Sequence, residues 1–120
     1  MSLIDQDKVA SVLLEVMDER RRQNAKWGEQ NHPDGTGPSV RPLAFQGNSG
    51  WRFAERLSIM ARRKCEQSFR TGVGTYRDIL LEEVFEALAE SEPAQLRAEL
   101  IQVAAVAVQW VEAIDRRAES

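Results

Sequence analysis

At 120 residues the chain is the size of one domain, enough for a modest core but small for a helical protein that must enclose a ligand. Its 16 basic and 19 acidic side chains leave a net charge of −3, so nothing suggests a general nucleic-acid binder and no nucleic-acid partner is expected. The single cysteine, Cys65, excludes an internal disulfide, and with no signal peptide and no apolar run of membrane length a cytoplasmic protein that does not engage a membrane is expected.

A first helix is predicted from residue 5 to about residue 26. Val9, Val12, Leu13, Val16 and Met17 recur at spacings of three and four, the core-facing stripe of an amphipathic helix. Acids lie early and Arg20, Arg21, Arg22 and Lys26 lie late, as the helix dipole prefers; phosphate binding is the alternative use of that basic cluster. The following stretch, about residues 28–50, is rich in glycine and proline and has neither a helical nor a strand period, so it is expected to be a long loop of the kind that is functional or disordered. Trp27 at its mouth either stacks on a nucleobase or plugs the core. His32, flanked by Asn31, Pro33 and Asp34, reads as a surface turn residue.

A second helix is predicted from residue 49 or 50 to residue 70, with Phe53, Ala54, Leu57, Met60, Ala61, Cys65 and Phe69 as its apolar stripe and Cys65 as a small core residue. Among its cations Arg52, Arg56, Arg63 and Lys64, most are expected to bridge to acids on neighbouring helices. Arg56 and Arg63 stand one heptad apart on nearly the same face, and are the candidates to hold phosphates. Gly72 and Gly74 mark a turn over residues 71–75.

The third helix opens at Thr75 and Asp78, spaced as a capping box with aspartate in place of the usual Glu or Gln. On a wheel Leu80, Leu81, Val84, Phe85, Ala87 and Leu88 cover one side, while Glu82, Glu83, Glu86 and Glu90 cover the other, which on an isolated helix reads as a solvated face. After a break at Ser91 and Glu92, Pro93 suits the first turn of a fourth helix, capped by Glu92 or Ser91. There Glu99 falls in line with Val103, Val106 and Trp110, and residues 103–108 are apolar all round, so burial on more than one side is expected. A carboxylate at the head of such a stripe needs a cation. If Glu99 faces Glu83 and Glu86, two carboxylates about 5 Å apart repel by roughly 3 kcal/mol at an effective dielectric of about 20. Either a proton or a divalent ion must then offset the charge, and an all-oxygen donor set favours Mg²⁺ or Mn²⁺ over zinc.

Glu82-Glu83-x-x-Glu86 followed by Glu99-x-x-Gln102 resembles the E-E-x-x-E … E-x-x-D signature of the MazG-like, all-α nucleoside triphosphate pyrophosphohydrolases. The Ala/Val-rich run after Glu99 and the ending Trp-Val-Glu-Ala-Ile-Asp-Arg-Arg are similar to small MazG-like proteins of bacteria and phages, and Trp27-Gly28-Glu29-Gln30-Asn31 is similar to a Trp-Asp-x-x-Gln-Thr element near the start of such domains. The resemblance implies a single four- to five-helix bundle over residues 1–120. It further implies Mg²⁺ held by Glu83, Glu86, Glu99 and Gln102, and hydrolysis of a (d)NTP to the monophosphate and pyrophosphate. Gln102 stands where the family has Asp, which removes one negative charge from the site.

Under this reading Glu82 orients the attacking water or accepts its proton, Glu83, Glu86 and Glu99 serve catalysis through the ion, and Arg56 or Arg63 holds the outer phosphates. There is no P-loop motif and no Cys/His cluster of zinc spacing. The apolar run at 103–108 in so short a chain predicts a helical homodimer or homotetramer. Two other readings compete: a non-catalytic nucleotide- or partner-binding homologue whose metal site is degraded at Gln102, and a structural helical dimer with a solvated acidic face.

Overall fold

The computed structural model describes residues 5–36 and 50–119, with the backbone alone for residues 50–53. Residues 37–49 of the expected loop, and the side chains of Arg52 and Phe53, lie outside the described residues. All regular structure among the described residues is helical: α1 (Gln6–Trp27), α2 (Gly50–Arg70), α3 (Tyr76–Ala89) and α4 (Pro93–Glu119). None of these helices is long and apolar enough to cross a membrane. The chain divides into two compact units, one of Asp34–Val106 and one of Met1–Pro33 with Ala107–Ser120.

In the second of these units, α1 starts where the Asp5 carboxylate accepts the N–H groups of Asp7 and Lys8, both at 3.1 Å, two donors the first turn would otherwise leave unpaired. The basic cluster late in α1 is partnered within the helix: Arg22 reaches Glu19 at 2.7 Å, Arg21 reaches Asp18 at 3.3 Å, and Arg20 donates to Gln23 at 2.7 Å. The expected apolar stripe of α1 is buried only at Val12, while Leu13, Val16 and Met17 are exposed. Helical period marks which side chains share a face, but whether the face is covered depends on a partner surface.

In the unit 34–106, α2 and α3 lie in close backbone contact. Their connection is set by local chemistry. Val73 N–H bonds Ser68 C=O at 2.8 Å and Gly72 N–H bonds Phe69 C=O at 3.2 Å, the paired bonds of a Schellman motif. Gly72 sits at φ +83°, the left-handed conformation that motif requires of its glycine. Gly74 has a different constraint, since a Cβ there would run into the Phe69 ring. Immediately afterwards the Thr75 hydroxyl accepts Asp78 N–H at 3.1 Å and the Asp78 carboxylate accepts Thr75 N–H at 3.3 Å, closing the capping box that starts α3.

The covered positions of α2 match the expected apolar stripe in part. Ala54 and Cys65 are buried as expected, Leu57 and Ala61 are half-buried, and Ser58 and Ser68 are buried beside them, whereas Met60 is 62% and Phe69 50% exposed. The buried residues follow a helical spacing but are chosen by size, because small side chains let two helices approach closely. Ala87, 3% exposed, is the corresponding small residue of α3. Its acidic side is turned inward as well: the Glu82 and Glu86 side chains are only 24% and 20% exposed, while Leu81 and Leu88 are exposed. The acidic face is therefore only partly solvated.

The chain then reverses over residues 90–92. Glu92 caps α4 by accepting Gln95 N–H at 2.9 Å, and Pro93 occupies the first helical position. Thr36 donates to Glu90 C=O at 2.6 Å, tying the end of the preceding irregular segment to this corner. Of residues 103–108 only Val106 is buried, with Val103 and Val108 half-buried and the alanines exposed, so the expected burial on several sides does not occur within one chain.

Candidate functional site

Three carboxylates from α3 and α4 meet. Glu83 and Glu86, one turn apart on α3, and Glu99, two turns into α4, each present one oxygen such that all three atoms lie within 4.8 Å of one another. All three side chains are half-buried. The capping box sets the start of α3, and the Glu92 cap with Pro93 sets the start of α4.

The electrostatic consequence appears at Glu83. Burial raises its carboxyl pKa above the ordinary value, and the charges of Glu86, Glu99 and Glu82 raise it further. At spacings near 4.8 Å each pair of full negative charges repels by about 3 kcal/mol for an effective dielectric of about 20. A site of this kind attracts either a proton or a cation. The donor set is oxygen only, which fits Mg²⁺ or Mn²⁺ and not the nitrogen and sulfur preference of zinc.

Glu82, next in sequence, lies on the α2 side of this cluster, its charge also felt by Glu83. The Cys65 thiol on α2 is raised in pKa by burial and then by the Glu82 carboxylate, which Arg62 Nε approaches at 3.9 Å. The same guanidinium donates from Nη2 to Glu86 Oε1 at 3.0 Å. Glu86, chiefly through that bond, and Glu82 push the Arg62 pKa further above its already high value. Glu99 is oriented from its own helix, its Oε1 accepting Gln95 Nε2–H at 3.0 Å.

Of the residues expected at the site, Glu83, Glu86 and Glu99 converge, with Glu82 beside them on the α2 side. Gln102 is exposed, one turn beyond Glu99 on α4. Arg56 and Arg63 are exposed, and it is Arg62 that reaches the acids. The heptad spacing of Arg56 and Arg63 assumed that the apolar side of α2 faces its neighbour. With the small residues facing it instead, Arg62, the position just before Arg63, carries the interacting cation. Gln95 was likewise not anticipated, although its place four residues before Glu99 is a standard helical pairing.

Trp27, in the other unit, is 61% exposed. Lys26 Nζ lies 4.8 Å from its ring centroid, and the side chain lines an open cavity of about 330 Å³ with Arg20, Gln23, Gly28 and Gln30. It is not a core plug. His32 is exposed, its Nε2 3.3 Å from Gln30 Oε1, in keeping with a surface role.

Comparison of the chain with protein-family models, with curated proteins and with solved structures finds no match to any of them.

Proposed function

We propose that this protein is a magnesium-dependent nucleoside triphosphate pyrophosphohydrolase of the MazG-like, all-α type, converting a (d)NTP to the monophosphate and pyrophosphate. The reading is carried by one observation: the oxygens of Glu83, Glu86 and Glu99 come within 4.8 Å of one another from two helices. A motif on the sequence predicts this pairing only if α4 returns in the right phase, and a solvated acidic helix has no reason to share its charge with Glu99.

In this reading Glu83, Glu86 and Glu99 hold the divalent ion, with Gln102 one turn further along α4 as an amide donor. When bound, the ion neutralises phosphate oxygens and acidifies a coordinated water. Glu82, held on its α2 side by Cys65 and Arg62, orients the attacking water and accepts its proton. The exposed Arg56 and Arg63 take the outer phosphates. Apolar residues left uncovered in a single chain, among them Leu100 and Ile101 on α4, support assembly as a homodimer or homotetramer.

The competing proposal, a binding protein that no longer turns over its nucleotide, rests on Gln102, since only three carboxylates converge. Titration with Mg²⁺ and a panel of (d)NTPs, followed by pyrophosphate release, decides between them. Turnover abolished by Glu99→Gln supports the hydrolase, and Mg²⁺-dependent nucleotide binding without turnover supports the binder. No Mg²⁺-dependent binding of any nucleotide removes both.

A further inference from the structure

Glu86 is shared between two demands. Its Oε1 accepts Arg62 Nη2–H at 3.0 Å, and the same residue is one of the three acids that converge with Glu83 and Glu99. The Arg62 guanidinium also approaches Glu82 at 3.9 Å, so it already offsets negative charge along the α3 row. We propose that Arg62 is the resident counter-cation of this row, and that a divalent ion gains Glu86 by displacing its guanidinium. The inference rests on the metal-binding reading above and adds how loading of that site is controlled.

Three features support a displaceable contact. Arg62 is half-exposed, so its head can move into water without leaving a buried charge behind. It meets Glu86 through a single nitrogen and a single oxygen rather than the two parallel bonds that make Arg–carboxylate pairs persistent. And two cations on one carboxylate repel each other, so simultaneous occupancy weakens both. The placement is specific to Arg62: it lies three residues before Cys65, whose thiol engages Glu82, so the register of α2 on α3 brings this guanidinium to Glu82 and Glu86. Arg63, one residue on, makes no ion pair with either acid.

The test is calorimetric titration of the full chain with MgCl₂ and MnCl₂, without nucleotide and at fixed pH and ionic strength, on wild type, Arg62→Gln, Arg62→Met and Arg62→Lys. Removing the charge is expected to tighten ion binding about three- to tenfold in the Gln and Met variants, with Lys close to wild type. Met keeps the aliphatic stem, so a packing defect in the Gln variant is separated from the charge effect. In wild type, the Arg62 Nε–H resonance is expected to shift with a midpoint matching the calorimetric one. Unchanged or weaker binding in both neutral variants, or a resonance that stays in place at saturation, overturns the displacement. Absence of Mg²⁺ and Mn²⁺ binding in all four proteins overturns the metal reading itself, a result distinct from either of those.

Discussion

The Cys65 thiol, on the covered side of α2, lies by the Glu82 carboxylate on α3. Burial first, and then its interaction with that carboxylate, push the thiol up to about 11. At pH 8 its thiolate fraction is then roughly a hundredfold below that of an ordinary thiol, and modification by a disulfide reagent such as DTNB is expected to be slowed by at least that factor. Glu82→Gln is expected to accelerate the reaction while leaving the thiol buried, and full unfolding in guanidinium to restore the rate of a free cysteine. A native-state rate equal to the unfolded one sinks this account.

The acid cluster predicts an unusual pH dependence. The folded-state pKa of Glu83 lies above its ordinary value of 4.5, so over the window just above pH 4.5 the folded state binds more protons than the unfolded state. By linkage, stability contributed at this group falls as pH rises through that window, and the destabilisation is complete once pH exceeds the folded-state pKa. Glu83→Gln removes the term. Its melting temperature is expected to exceed that of wild type at pH 7 without metal, with the advantage shrinking towards pH 4.5. Scanning fluorimetry at a series of pH values checks this, and a variant less stable than wild type at pH 7 contradicts it.

The convergence of Glu83, Glu86 and Glu99 was legible because the signals that phase α3 and α4 are local. Thr75 and Asp78 mark one start, Glu92 and Pro93 the other, and between them the break is short enough to return the chain. The rotation of α2 was not legible in the same way. A hydropathy pattern selects Met60 and Phe69, whereas close helix approach selects volume and covers Ser58 and Ser68 instead. A signal for this existed in the run Ala54, Ser58, Ala61, Cys65, Ser68, small residues at alternating spacings of four and three. Reading it would have turned Arg62, and not Arg56 or Arg63, towards the acids. The uncovered stripe of α1 has a different cause, because periodicity does not reveal whether a covering surface belongs to the same chain.

The turn between α2 and α3 should be intolerant of side chains for two separable reasons. At Gly72 the obstacle is backbone conformation, since φ +83° costs an L-residue roughly 1–2 kcal/mol. At Gly74 the obstacle is the Phe69 ring, and overpacking of this kind costs typically about 1–3 kcal/mol. Gly72→Asn, which tolerates the left-handed region, is expected to be milder than Gly72→Ala. Gly74→Ala combined with Phe69→Leu is expected to recover stability lost by Gly74→Ala alone. Urea melts of these four variants and of Phe69→Leu alone measure both, and additivity of the Gly74 and Phe69 substitutions removes the steric explanation.

Gln102 offers the sharpest probe of how much charge the site accommodates. It lies one turn beyond Glu99, so Gln102→Asp adds a carboxylate on the same side of α4. Without an ion, the added charge joins a cluster that already raises the Glu83 pKa, and the variant is expected to be slightly less stable than wild type. With Mg²⁺ the order should invert, because a fourth carboxylate strengthens an oxygen site for a hard cation, with affinity gaining about tenfold for roughly 1.4 kcal/mol. Melting curves with and without Mg²⁺, together with titration calorimetry, test both halves. Unchanged Mg²⁺ affinity takes Gln102 out of the site and leaves Glu83, Glu86 and Glu99 as its protein ligands.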